Sequence, residues 1–140
     1  MSPRTHLSIA LAAFALAGCN APTSFIEPHE LGSAAQQVAS LAGEAEWLAQ
    51  QLREGSVTQN MAWVHQQAIG DDAVKIAERL AKPVPPELRA THEALAQLDT
   101  RLASQVSRIA PAAQHPDELA ALEREFHILA AQAQPMGESS

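Results

Sequence analysis

Two seams of residues that recur every seven positions constrain this chain more than any other feature. Leu31, Val38, Ala45 and Leu52 form the first, with Ala34, Leu41 and Leu48 interleaved at the same period. Leu88, Leu95, Leu102 and Ile109 form the second, with His92, Leu98 or Asp99, and Val106 between them. A seven-residue repeat places its members along one narrow stripe of an α-helix, whereas a strand would need alternation with period two. A helix carrying such a stripe cannot bury it alone and must pack against others.

Two further stripes complete the set. Ala62, His65, Ile69, Asp72, Ile76 and Leu80 read as the inward face of a second helix, and Leu119, Leu122, Phe126, Leu129 and Ala133 as that of a fourth. Punctuation separates the four. Ser24 with Glu27 reads as a capping box before Pro28, Gly55 as the stop of helix one, and Ser56 with Gln59 as the box opening helix two. Gly70 weakens helix two before Asp71 and Asp72, and the run KPVPPE ends it near Lys82, because consecutive prolines remove backbone donors. Pro86 suits the start of helix three and Pro111 its end, while Pro116, Asp117 and Glu118 suit the first turn of helix four. The spacing therefore predicts an all-α, antiparallel up-down-up-down four-helix bundle over residues 28–134. Helix four is expected to be the shortest, and 135–140 a frayed tail.

Composition agrees. Of 140 residues none is tyrosine, and three phenylalanines and two tryptophans are the only large aromatic side chains, while alanine, leucine, glutamine and glutamate dominate. That mixture favours helix over strand. The sequence contains no Gly-rich phosphate loop, CxxCH, HExxH, GxSxG or inward ExxH pair, and an enzyme is not expected.

The amino-terminal segment has a different character. Arg4 precedes the apolar stretch LSIALAAFALAG, which is shorter than the roughly 20 residues a membrane span requires and has the build of an export signal. Leu16, Ala17, Gly18 and Cys19 follow, and Cys19 is the only cysteine. These four residues resemble the lipobox of bacterial lipoproteins. The resemblance covers the export segment alone and implies cleavage after residue 18, a diacylglycerol thioether on Cys19, and attachment to a bilayer through acyl chains. Each buried methylene contributes about 0.8 kcal/mol, so several chains hold a protein on a membrane without any spanning helix. In enteric lipoproteins aspartate after the cysteine retains the protein at the inner membrane. Asn20 stands there in this chain, which implies the periplasmic face of the outer membrane. Residues 19–27 would then be the lipidated cysteine and its tether.

Arg4 is the only charged side chain before Cys19, so of 9 basic residues 8 remain against 16 acidic ones after cleavage, a net charge of −8. Nucleic acid is thereby disfavoured as a partner, as is an anionic surface held by charge alone.

Candidate binding residues fall into two groups. Helix rise places His65 about 12 Å, and Asp99 and His127 about 16 Å, from the end of the bundle where helix two begins. Two imidazoles and a carboxylate in one layer would suit zinc or copper(II), with Glu123 and Glu44 near the same height. The competing reading makes His65 and Asp99 a hydrogen-bonded polar layer that fixes helix register. His92 falls about 27 Å in and belongs elsewhere. Asp71 and Lys75, four apart, read as an ordinary helix-surface ion pair. Trp47 and Trp63 lie near the turn between helices one and two. At least one of them is expected to cover that end of the core, and either exposed ring would offer a sticky contact for an envelope protein partner. Two functions therefore stand: a lipid-anchored helical module that binds protein or has a structural role in the envelope, and a metal-binding bundle.

Overall fold

A computed structural model describes residues 24–138, so the export segment and Cys19 lie outside the described residues. Four long helices, α1 (Pro28–Arg53), α2 (Gln59–Leu80), α3 (Arg89–Val106) and α4 (Pro116–Glu138), are joined by short connections. Each runs antiparallel to the next, and the ring closes where α1 meets α4. Arg53 at the end of α1 meets Glu123 near the start of α4, and Gly137 near the end of α4 lies against Gly32 and Gln36 near the start of α1. The all-α up-down-up-down bundle expected from the two seams is therefore what the chain forms.

The seam on α1 is buried along its whole length, from Leu31 to Leu52, together with Ala35, Ala42 and Ala49. Alanine at so many buried positions lets α4 approach closely, and α1 and α4 share the most extensive contact in the molecule. Phe126, Leu119, Leu122 and Leu129 fill the space from the α4 side, all at or below 1% exposure. On α3 the buried positions are Leu95, Leu98, Asp99, Leu102 and Val106. Ile109 remains fully buried although α3 has already ended.

Several boundaries differ from the sequence reading for identifiable reasons. Glu27, not Ser24, caps α1, and its backbone N–H donates to Glu30 Oε2 at 2.9 Å. Ile26 is only 2% exposed and its N–H donates to the Pro83 carbonyl at 2.9 Å. The bundle therefore begins inside the segment read as tether. Thr58 caps α2, its Oγ1 accepting from Met61 N–H at 3.2 Å. Gln59 is thereby freed to reach across the bundle, where its Nε2 donates to the Ala110 carbonyl at 3.0 Å. Gly55 stops α1 as anticipated, with φ of 74°. The Gly55 N–H bonds Leu52 O at 3.2 Å and the Ser56 N–H bonds Gln51 O at 2.9 Å, the paired bonds of a Schellman turn.

Gly70 does not interrupt α2, because the flanking buried residues Ile69 and Ala73 hold the helix to the core on either side. Helix four is not the shortest. It has 23 residues against 18 in α3, and it continues through Pro135. Met136 packs against the core and Gly137 sits where a Cβ would come within 2.7 Å of Gln36 Cγ. Packing on α1 thus carries the helix through a residue that removes a backbone donor.

Candidate functional site

Three residues proposed from the sequence as metal ligands are not brought together. The buried face of α2 runs through Ala62, Gln66, Ile69, Ala73, Ile76 and Leu80. That alternation of four and three excludes both His65 and Asp72, which are exposed. One residue's rotation on a helix is about 100°, enough to turn an imidazole from the core to water. His127 is likewise outside. Its side chain is 73% exposed, and Nδ1 stands 3.3 Å from Glu46 Oε1 across the α1–α4 edge. Glu123, nominated beside it, is held by the Arg53 guanidinium. Only Asp99 is buried, at 4% exposure. Among the described residues no group of three His, Cys, Asp or Glu is disposed to hold a metal ion. The zinc or copper reading is accordingly not carried forward.

The polar layer expected from His65 and Asp99 is replaced by two separate arrangements. Gln66 supplies one: its Oε1 accepts the Ala110 N–H at 2.9 Å, and with Gln59 on the same residue's carbonyl it satisfies both backbone groups where α3 gives way to the next turn. His92 supplies the other, its Nε2 lying 2.6 Å from the Leu80 carbonyl at the end of α2. A carbonyl accepts only, so Nε2 carries the proton in this contact. The sequence signal for Gln66 was the uninterrupted alternation through Ala62, Ile69, Ala73 and Ile76. It went unread because glutamine is seldom found inside a core.

Asp99 is the anomaly of the structure. Its Oδ1 is buried and accepts no hydrogen bond among the described residues. Burial pushes its carboxyl up to about 6, opposed only by the attraction of Arg79. It lines a pocket of about 150 Å³ whose other walls are Ala77, Leu80, Ala81, Ala96 and Thr100, between α2 and α3. A carboxylate in apolar walls is costly to ionise and strongly attracts any cation that can reach it.

Trp47 and Trp63 are both about half exposed, at 51% and 53%, so neither covers the core as expected for at least one of them. They do not share a surface patch. Trp63 lines a shallow groove with Gln59, Asn60, Ala110 and Pro111, between the start of α2 and the turn that follows α3. Trp47 stands on the outward face of α1, its neighbours one turn away, Gly43, Glu44 and Gln50, all being exposed. Met61 and Val64 are also about half exposed beside Trp63 in sequence. At the surface Lys75 pairs with Asp72 at 2.6 Å rather than with Asp71.

Among the described residues no helix is long and apolar enough to cross a membrane. Comparison of the chain with protein-family models, with curated proteins and with solved structures finds no match.

Proposed function

We propose that this protein is a bacterial lipoprotein whose helical bundle, fastened through acylated Cys19 to the periplasmic face of the outer membrane, binds another protein of the envelope. The observation that carries the binding role is Trp63, half exposed over Ala110 and Pro111 on rigid backbone. An aromatic ring fixed on a helix loses little freedom when a partner covers it, and tryptophan is enriched among residues that dominate interface energies.

The fold supports the arrangement. Cys19 precedes the buried Ile26 by seven residues, a reach of at most about 25 Å. The pole formed by the start of α1, the end of α2 and the end of α4 would therefore face the bilayer. A 26-residue α1 is about 39 Å long, so the opposite pole, with Trp63, would stand well out into the periplasm.

Mass spectrometry of the native protein tests the anchor. The expected amino-terminal peptide begins at Cys19 with the mass of attached acyl chains, and Cys19→Ala is expected to remove that acyl mass and to leave the signal uncut, so that the precursor stays in the inner membrane through its apolar stretch. A native peptide beginning elsewhere, or at an unmodified Cys19, would refute the anchor. Trp63→Ala tests binding: loss of partner association with an unchanged melting temperature is expected, and retained association would refute the role given to this ring.

A further inference from the structure

A single uncharged stripe runs along the outside of α2, one step removed from its buried face. Trp63, Gln67, Gly70, Val74, Ala77 and Ala81 follow one another at alternating intervals of four and three, and none is buried. One end lies against the turn that follows α3, where Trp63 shares a groove with Ala110 and Pro111, and the other lies against α3 itself, where Ala77 and Ala81 share a pocket with Ala96 and Thr100. The stripe spans 18 residues, about 27 Å, and forms one wall of a shallow face between the two helices. Gly70, Ala77 and Ala81 are small, so a further polypeptide segment can approach the backbone at those positions, as α4 approaches the alanines of α1. One step further round the helix the exposed positions are charged, at Asp71, Lys75 and Glu78.

Asp99 opens onto this face through the pocket between α2 and α3. Its side chain is more than nine-tenths buried, has an oxygen without a hydrogen-bond partner among the described residues, and lines the pocket walled by Ala77, Ala81 and Ala96. The last turn of α2 borders the same pocket through Leu80 and Ala81, and the Leu80 carbonyl there is already taken by His92. Arg79 is the charged neighbour that acts on Asp99, yet its guanidinium is turned to Gln37 on the α1 side. An apolar sleeve ending in a carboxylate matches an alkyl chain ending in a cation.

We infer that the α2–α3 face is the seat of a partner polypeptide segment, apolar toward Trp63, Val74 and Ala77, that inserts one lysine or arginine side chain into the Asp99 pocket. Methylenes of the entering side chain pack on Ala77, Ala81 and Ala96, and its charged head meets Asp99. The ion pair forms largely out of water, where complementarity discriminates strongly against a segment lacking the cation. This inference rests on the protein-binding reading, and it specifies which face and which chemistry.

Two experiments on the full-length protein test it. In the first, n-butylamine hydrochloride, the side-chain analogue of lysine, is titrated while the Asp99 carboxyl carbon is followed by NMR. A saturable shift is expected, with the carboxyl titrating at least about one pH unit lower. Ala77→Leu, which keeps the carboxylate but fills the mouth of the pocket, is expected to abolish that shift without lowering the melting temperature. An Asp99 resonance indifferent to the amine would overturn the inference, as would a response unchanged in Ala77→Leu.

In the second, a photo-crosslinking amino acid replaces Val74 or Trp47 in native membranes. Adducts from position 74 that vanish when Asp99→Asn is added are expected. Adducts from position 74 that survive Asp99→Asn would overturn the basic side chain, and adducts from position 47 alone would overturn the α2–α3 seat while leaving the protein-binding reading intact. Adducts from neither position would overturn both.

Discussion

Asp99 shows how one side chain sets the pH response of a small bundle. Its folded-state carboxyl titrates at about 6 against an ordinary 3.8, because burial disfavours the charged form. The folded protein therefore binds a proton more tightly than the unfolded chain does. The penalty is absent below pH 3.8, grows as pH rises toward 6, and is fully present above that. Asp99→Asn removes the ionisation, so its stability advantage over the parent is expected to be near zero at pH 3.5 and to reach about 3 kcal/mol at pH 7.5, measured by urea melts at both pH values. An advantage independent of pH would show that Asp99 is not ionised inside the fold. Gln66 behaves oppositely. Gln66→Leu leaves the Ala110 N–H without its acceptor and is expected to destabilise by about 1–3 kcal/mol, although the new side chain is apolar. Asp99 was legible in the sequence as a polar member of the second seam. Its isolation was not, because helix rise gives the height of His65 and His127 but a rotation of one residue decides whether they face inward.

At the level of the elements, three glycines on three helix segments separate three physical causes. Gly55 adopts φ of 74° in the Schellman turn, so Gly55→Ala is expected to lower stability by about 1–2 kcal/mol through strain alone, since nothing stands within 4 Å of the added Cβ. Gly70 has helical backbone and equally open surroundings, so Gly70→Ala is expected to raise stability by about 0.5–1 kcal/mol. Gly137 has neither strain nor room. Gly137→Ala drives a methyl toward Gln36 and the Gly32 carbonyl and is expected to loosen the end of α4, visible as faster amide exchange over residues 130–138 than in the parent. One melting series with the three alanine variants orders them. A Gly137→Ala protein with unchanged exchange would mean that the last turn of α4 is not packed in solution. The same comparison explains why this last turn escaped the sequence reading. Pro135 and Gly137 are local helix breakers, and only the small residues of α1 opposite them, which periodicity does not report, overrule that preference. The caps moved for a related reason: Ser24, Ser56 and Thr58 are all competent oxygen acceptors, and tertiary contacts at Ile26 and Gln59 select among the possible starts.

For the molecule as a whole, the four-helix architecture was readable because two heptad seams and proline punctuation agree with helix-forming composition, several signals with one meaning. The α2–α3 face proposed to seat a partner was not readable, since it is made of residues that periodicity treats as the solvent side. The two tryptophans give it an optical signature. Both being about half exposed, the protein is expected to show red-shifted tryptophan emission that acrylamide quenches efficiently, and Trp47→Phe is expected to leave a residual emission from Trp63 that shifts to shorter wavelength when a partner covers the α2–α3 face. Emission already blue and protected in the isolated protein would contradict the exposed rings. The docking of Gly137 against Gly32 has a consequence for anyone building on this molecule. Because the carboxyl end of the bundle returns to where its amino end emerges, a reporter fused after the last residue would be wedged between the domain and the proposed lipid anchor, whereas the hairpin at Gly55 would carry the same cargo into open space.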